Sequence, residues 1–240
     1  MEHIDNLSAN TAITEYVPTL YDVIDRWIVM EKLSGLELKQ LETHLESDEA
    51  FSEKYAKEAA AMLIDTARAN LWMSDVVFSN GHNCMVDPET GKIKIIEISA
   101  IRSTDSQRTK TTPEELIAGQ LFKESQKRQP KFVFQLLKEI FAQIPPEKLF
   151  TPAKQIEPSH PYYDDIYRIA EVIPEAYVAI DYGDKRKPTL WYGGRWQTKA
   201  ISPEVITAVN GDNFEEFLKI FEAHHIEMPI TDKNDSRFNP

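Results

Sequence analysis

Acidic and amide side chains gather in one stretch of the sequence, between residues 75 and 97. Asp75 comes first, Asn80 and Asn83 follow, and Glu97 ends the stretch. Phosphoryl transfer uses these residue types, because a carboxylate orients the attacking hydroxyl while an asparagine and an acid hold magnesium on the phosphates. Each residue also has an ordinary interpretation. Asp75 can cap a loop or helix, the asparagines can make turns, and Glu97 can be an exposed strand residue.

A β-hairpin has to position these side chains. Its expected arms are residues 84–86 and 92–98, and the residues between them, Asp87-Pro88-Glu89-Thr90-Gly91, have strong turn chemistry. Residues 51–72 precede the hairpin and carry apolar side chains at helical spacing. Two further strands are expected within 16–30, where β-branched and aromatic residues dominate.

Helices are predicted in several other parts of the chain. Thr112 precedes Pro113 and two acids, which is typical of a helix start. The apolar spacing of Val133, Leu136, Leu137 and Ile140 predicts one buried helix face. The predicted helices outside 51–72 cover residues 4–15, 36–46, 113–127, 131–144, a short segment near 163–172, and a last amphipathic segment that includes Phe214 and Phe217. A second hairpin is expected, with arms at 177–180 and 189–192.

Two stretches of the sequence resemble a protein kinase, in the order and at the spacing of that family. Residues 27–38 are similar to the last strand of the small lobe, the hinge and the entry to the large lobe. Residues 71–98 are similar to the catalytic loop and the hairpin that carries the magnesium-binding acid. The resemblance covers residues 16–98. It implies an α+β, protein-kinase-like fold with a mainly helical large lobe, a catalytic-loop hairpin and a reduced small lobe.

The resemblance implies a nucleotide site at the hinge, residues 31–35. Met30 would be the gatekeeper, and the backbone groups of Glu31 to Leu33 would contact the adenine of ATP. In Met73-Ser74-Asp75, which takes the place of His-Arg-Asp, Asp75 would be the catalytic residue. The implied cofactors are ATP and Mg²⁺.

Two asparagines compete for the magnesium position that the resemblance implies. Asn80 lies five residues after Asp75, which is the family's spacing, and we favour it. Asn83 fits better when the count starts from the hairpin, because Asn83-Cys84-Met85-Val86-Asp87 resembles Asn-Ile-Leu-Val-Asp, but Phe78 then occupies the catalytic position. Glu97 stands where the family has the acid of Asp-Phe-Gly, and its longer side chain suits magnesium less well.

The departures from the family pattern favour a degenerate kinase. No Gly-rich phosphate loop and no Val-Ala-Ile-Lys strand precede residue 16, and Ser74 replaces the catalytic-loop arginine. We therefore expect either a reduced small lobe or a native start upstream of Met1. The expected organisation is a kinase-like region over 1–144, a Pro-rich connection over 145–162, and an α/β appendage over 163–240 that could pack on the same core.

Composition excludes some classes of protein. The 240 residues carry 27 Lys and Arg against 39 Asp and Glu, a formal charge of −12. An acidic chain is a poor match for nucleic acid or an anionic membrane, and no apolar run approaches the about 18 residues of a membrane span. The single cysteine, Cys84, excludes an intramolecular disulfide, is expected to be buried and inert, and suits a reducing cytoplasmic compartment. Delivery into a host cell would fit only by analogy at fold level.

Three functions remain open. The first is a pseudokinase, a kinase-like scaffold kept as a binding or regulatory module for a protein partner, and the missing phosphate-binding groups favour it. The second is an active, minimal Mg·ATP-dependent phosphotransferase that uses Asp75. The third is an α+β protein-interaction domain without kinase ancestry.

Overall fold

Helices and short antiparallel strands alternate along the chain, and the fold is mixed α+β, as expected. The computed structural model describes residues 13–24, 27–36, 38–73, 76–97, 101–103, 112–125, 129–155, 157–159, 163, 164, 167, 171, 177–182, 188–193 and 203–226. The predicted helix over 4–15 lies almost wholly outside these residues, and the one near 163–172 lies largely outside them. Within these ranges no helix is long and apolar enough to cross a membrane.

The strands are short and pair antiparallel. They are β1 (Leu20–Ile24), β2 (Trp27–Met30), β3 (Leu71–Met73), β4 (Cys84–Val86), β5 (Ile93–Ile95), β6 (Ile101–Ser103), β7 (Thr151–Pro152), β8 (Tyr177–Tyr182) and β9 (Pro188–Gly193). β1 pairs with β2, β3 with β6 and β4 with β5, while β7, β8 and β9 form one sheet in that order. The two strands predicted within 16–30 and the two predicted hairpins are therefore confirmed.

The helices supply most of the core. They are α1 (Leu38–Ser47), α2 (Glu49–Arg68), α3 (Pro113–Ser125), α4 (Pro130–Phe141), the single turn α5 (Pro146–Leu149), α6 (Pro203–Asn210) and α7 (Phe214–Ile226). α2 is central, because it packs against α1, α3 and α4.

The long predicted helix is shorter than the sequence indicates. Asp48 caps α2 by accepting a hydrogen bond from the N–H of Phe51 at 3.0 Å. The apolar side chains whose spacing predicted this helix are buried as far as Ala67. The helix ends at Arg68 rather than at residue 72 because Asn70 adopts a left-handed φ of 55° and Leu71 begins β3. Asparagine tolerates this backbone region better than most residues do.

β3 and β6 pair although 27 residues separate their ends, and this pairing was not predicted. Leu71 is paired with Ser103 and Met73 with Ile101. The β4–β5 hairpin lies between them in the chain, with Cys84 paired to Ile95 and Val86 to Ile93. The segment before the candidate site and the segment after it therefore lie side by side.

α3 begins at Thr112, which caps it as expected, and Glu115 makes the cap reciprocal. The Oγ1 of Thr112 accepts a hydrogen bond from the N–H of Glu115 at 3.2 Å, and Oε2 of Glu115 accepts one from the N–H of Thr112 at 2.8 Å. This is a capping box, which satisfies two backbone donors at the start of a helix. The predicted apolar face of α4 is buried, chiefly against α2.

The Pro-rich stretch 145–162 contains ordered structure. Leu149 and Phe150 within it are buried, and Thr151 pairs with Val178 of β8. Beyond it, α6 and α7 pack on α4, where the rings of Phe134 and Phe217 meet at 5.2 Å. α6 and α7 thus share one apolar core with the helices α1–α4.

Candidate functional site

The turn of the β4–β5 hairpin is held by the side chain of Asp87. Its Oδ1 accepts hydrogen bonds from the N–H groups of Glu89 at 2.8 Å and Thr90 at 2.9 Å. Those two N–H groups, that of Thr90 first, lower the pKa of Asp87. Gly91 takes a φ of 74° and lies against Lys54 of α2, so the turn fixes the hairpin on the helix.

At the other end of the hairpin, Asn83 lies opposite Ile96, the residue before Glu97. The carbonyl of Asn83 accepts a hydrogen bond from the N–H of Ile96 at 3.0 Å, one position beyond the pair Cys84–Ile95. Asn83 has a φ of 59°, which is the turn conformation that the sequence allowed for it. Its side chain is half-buried and that of Glu97 is exposed. Glu97 follows Ile96 directly, so its backbone is one residue away from the position opposite Asn83.

The loop before β4 folds back on itself. Val77 and His82 form an antiparallel bridge around a 3₁₀ turn, Phe78–Asn80, which ends at Gly81 with a φ of 67°. Asn80, the favoured partner of Asp75, is the last residue of this turn, and its side chain is outside the described part of the structure. Its magnesium role stays a prediction.

A buried acid that was not predicted anchors this loop. The carboxylate of Glu124 in α3 accepts hydrogen bonds from the N–H groups of Phe78 and Ser79, both at 2.9 Å. The Nε2 of Gln120 donates to the same carboxylate at 2.8 Å and to the carbonyl of Val76 at 2.9 Å. Burial raises the pKa of Glu124, and the N–H donors of Ser79 and Phe78 oppose that shift.

Tyr55 holds the same loop from the side of α2. Its hydroxyl donates a hydrogen bond to the carbonyl of Phe78 at 2.8 Å and lies 3.9 Å from Sγ of Cys84. Burial raises the pKa of the Cys84 thiol to about 12. The expectation of a buried cysteine is confirmed. A thiol that stays protonated is a poor nucleophile, so its inertness stays a prediction that the raised pKa supports.

Asp75, the predicted catalytic residue, lies outside the described residues together with Ser74. The chain enters this pair from Met73, which pairs with Ile101, and leaves it at Val76. Met73 and Val76 are both buried. The catalytic role of Asp75 is therefore still a prediction.

The hinge predicted at 31–35 begins as a continuation of β2. Met30 is paired with Leu20, and the N–H of Glu31 donates to the carbonyl of Thr19 at 2.8 Å. Within the part of the chain that the structure describes, Lys32, Leu33 and Ser34 make no backbone hydrogen bond. Of the predicted hinge contacts, Glu31 is thus the one whose backbone N–H is bonded within this part of the chain.

The carboxylate of Glu31 has a structural role that was not predicted. It accepts hydrogen bonds from the N–H of Thr19 at 3.0 Å and from its Oγ1 at 3.2 Å, and it lies 3.6 Å from Nζ of Lys94. The Thr19 N–H is the main cause of the lowered pKa of Glu31, and Lys94 adds to it. Lys94 also donates to the carbonyl of Val17 at 3.1 Å. Lys94, which belongs to β5, therefore joins the hinge to the hairpin.

A glycine allows the hinge to lie directly on β4. The N–H of Leu36 donates to the carbonyl of Val86 at 2.9 Å. A Cβ on Gly35 would lie 2.8 Å from the Val86 oxygen and 3.3 Å from Cβ of Met85. Any side chain at position 35 would force the hinge away from the hairpin.

Apolar side chains are exposed beside the hinge and the hairpin. Met30 is 41% exposed and Leu20, its partner across the β1–β2 pair, is also 41% exposed. Ile96, next to Glu97, is 50% exposed. Exposed apolar side chains therefore occur both on the β1–β2 pair and at the end of the hairpin.

The described side chains contain no group of three or more His, Cys, Asp or Glu residues that could hold a metal ion. A magnesium ion bound at Asn83 and Glu97 would take its remaining oxygens from water and phosphate, as this ion commonly does. The sequence matches no protein-family model, and no curated protein is significantly similar to it.

Proposed function

We propose that the chain is a protein-kinase-like pseudokinase: a binding module that holds an adenine nucleotide weakly and regulates a protein partner. The observation that carries this proposal is the contact of the hinge with the hairpin. Gly35 and Leu36 lie on Val86, so the hinge is in direct contact with β4, the strand that follows Asn83.

The order of the elements supports the same proposal. A strand pair, a hinge, a long helix, a tight loop and a hairpin follow one another as the kinase resemblance implies. The exposed apolar side chains of Met30 and Ile96 would contact the base, and Asn83 and Glu97 would hold the magnesium. The backbone hydrogen bond between Asn83 and Ile96, the residue before Glu97, is the contact that favours Asn83 for this role.

The same surface argues for binding without transfer. Lys94, whose cationic group lies beside the hinge, is engaged by Glu31 and by the carbonyl of Val17. Charge neutralisation on the phosphates is usually the dominant contribution to this chemistry, and these two contacts hold the charge of Lys94 at the hinge instead. A partner-binding role then accounts for a kinase-like scaffold with weak nucleotide affinity.

Displacement of a fluorescent ATP analogue, with magnesium present and absent, tests the nucleotide site. Glu97→Gln and Asn83→Ala should each weaken the magnesium-dependent part of binding about tenfold, since each removes one metal ligand. Glu89→Gln, an acid at the exposed turn of the same hairpin, is the matched control and should bind as the unaltered chain does. Equal binding by all three variants would contradict the assignment.

Transfer itself needs a separate assay. The full chain is incubated with γ-labelled Mg·ATP and a mixture of protein acceptors, and release or transfer of the label is followed. The proposal expects none above background. Transfer that is lost in Asp75→Asn would replace the pseudokinase with the active phosphotransferase.

A further inference from the structure

Two buried oxygens without partners lie beside the buried carboxyl group of Glu124. They are Ser79 Oγ and Gln120 Oε1, and each has less than 1 Å² of accessible surface and no hydrogen-bond partner. Both residues already bond the Glu124 carboxyl group through another atom, Ser79 through its N–H and Gln120 through its Nε2. Buried polar atoms are almost always satisfied. Because no solute reaches these two oxygens, the donor that they lack has to belong to the chain itself.

The hydrogen bonds of Glu124 leave a position for one proton. Its Oε1 accepts two bonds, from the N–H of Phe78 and from Nε2 of Gln120, whereas Oε2 accepts only the N–H of Ser79. A carboxyl oxygen has about two lone-pair positions, so Oε2 has one to spare. A proton on Oε2 keeps all three bonds and adds a donor. The Ser79 hydroxyl is close enough to the carboxyl group to affect its pKa, which makes it the acceptor for that proton.

The groups around the carboxyl favour its neutral form. The titratable groups that face it are the phenol of Tyr55 from α2 and the thiol of Cys84 from β4, and burial raises the pKa of both, so neither is charged near neutral pH. The Nζ of Lys123, the preceding residue of α3, lies over the Trp72 ring, 5.0 Å from its centroid. Among the residues that the structure describes, none forms an ion pair with Glu124. A buried carboxylate without a cation takes up a proton.

We propose that Glu124 is a proton-linked latch on the loop before β4: it is a neutral acid whose Oε2 hydroxyl donates to Ser79 Oγ, and loss of this proton at higher pH opens the loop. The direction follows from linkage. A loop opening that brings Glu124 into water returns its pKa toward the ordinary value, so the open form releases the proton more readily. As pH rises between the two pKa values, the opening equilibrium increases by about tenfold per pH unit.

The infrared carboxyl band of the full chain tests for the proton directly. A protonated carboxyl group absorbs at a higher frequency than a carboxylate, apart from the amide bands. At about pH 6, where an ordinary glutamic acid is ionised, the difference spectrum between the unaltered chain and Glu124→Gln should contain one protonated-acid band. That band should disappear as pH rises further. A carboxylate band at about pH 6 would overturn the proposal.

Ser79→Ala distinguishes the proposed bond from the opposite one, in which the serine hydroxyl donates to a carboxylate. Loss of an acceptor for the neutral acid should lower the pH at which the protonated band disappears. The expected shift is about 0.7 pH unit, since one neutral hydrogen bond corresponds to about fivefold in affinity. A shift to higher pH, or none, would overturn the proposal. Ser52→Ala also removes a buried, unpartnered hydroxyl, but from α2, and should leave the midpoint unchanged.

Hydrogen exchange, followed by NMR and corrected for the intrinsic pH dependence of the chemical step, tests the opening of the loop. In the unaltered chain the protection of the Phe78 and Ser79 amides should fall as pH rises, by up to about tenfold per pH unit. The Leu36 amide, which donates to the carbonyl of Val86, is the control within the same chain and should keep its protection. Constant protection at Phe78 and Ser79 would refute the latch. An equal fall at Leu36 would also refute it, since the whole chain would then be unfolding.

Discussion

Replacement of Glu124 gives the sharpest test of how the candidate loop is held. Its two oxygens accept three hydrogen bonds: Oε1 from the N–H of Phe78 and from Nε2 of Gln120, and Oε2 from the N–H of Ser79. All of these groups are buried. Loss of the acceptor therefore leaves donors that water cannot reach.

The number of hydrogen-bond donors left unpaired determines how much stability each Glu124 variant should lose. In Glu124→Gln, an amide oxygen at the Oε1 position keeps two bonds, and the amide NH₂ then faces the N–H of Ser79. One unsatisfied buried donor costs about 1–3 kcal/mol, and we expect a loss near 2 kcal/mol. Glu124→Leu leaves all three donors unpaired, and its cost should be about 3–5 kcal/mol, as for a broken buried charge network.

Urea denaturation followed by tryptophan fluorescence measures these losses. Glu114→Gln changes an acid in the first turn of the same helix and should shift stability by less than about 0.5 kcal/mol. Two results would contradict this reasoning. One is a loss of unfolding free energy in Glu124→Gln that is no larger than the loss in Glu114→Gln. The other is a Glu124→Leu variant that is more stable than Glu124→Gln.

The stability difference between the unaltered chain and Glu124→Gln should change with pH in one direction. Burial raises the pKa of folded Glu124 above the ordinary value of 4.5, so the folded state binds the proton more tightly than the unfolded state. The stability that this residue contributes is complete below 4.5 and is lost as pH rises through the folded pKa. The advantage of the unaltered chain over Glu124→Gln should therefore shrink from acid toward neutral pH, and an advantage that grows would contradict the shift.

Three further outcomes follow from local geometry. Gly91→Ala places a Cβ at a φ of 74° and 3.2 Å from Cβ of Lys54, and should cost about 1–2 kcal/mol in urea denaturation. Thr112→Ala removes half of the capping box and should cost about 1 kcal/mol, whereas no loss would contradict the cap. Cys84, with a pKa of about 12, should resist iodoacetamide at pH 8 until urea unfolds the chain, and rapid alkylation of the native protein would refute its burial.

Structural elements that are determined by residues close together in the chain were predictable from the sequence. The turn from Asp87 to Gly91, the cap at Thr112 and the apolar face of α4 each depend on residues a few positions apart. Their side chains determine the backbone directly, through hydrogen bonds to nearby N–H groups or through helical spacing. The structure confirms all three.

Long-range contacts were not predictable in the same way. β3 and β6 are three residues each, which is too short for a period-2 pattern, and their pairing depends on the packing between them. The need for a glycine at position 35 likewise arises from its close approach to Val86, and this long-range contact cannot be read from the sequence. Glu124 did have a signal: with Ile117 and Leu121 it follows an i, i+4, i+7 spacing, so the acid lies within an apolar stripe of α3.

Calorimetric titration of the full 240-residue chain with ATP, with and without magnesium, tests the proposed nucleotide site most directly. The account predicts saturable binding that magnesium strengthens and that Gly35→Val abolishes, because a side chain there displaces the hinge from β4. Ser34→Val, one position earlier on the exposed hinge, should leave binding unchanged. Absence of binding at millimolar nucleotide, or equal binding by the two variants, would contradict it.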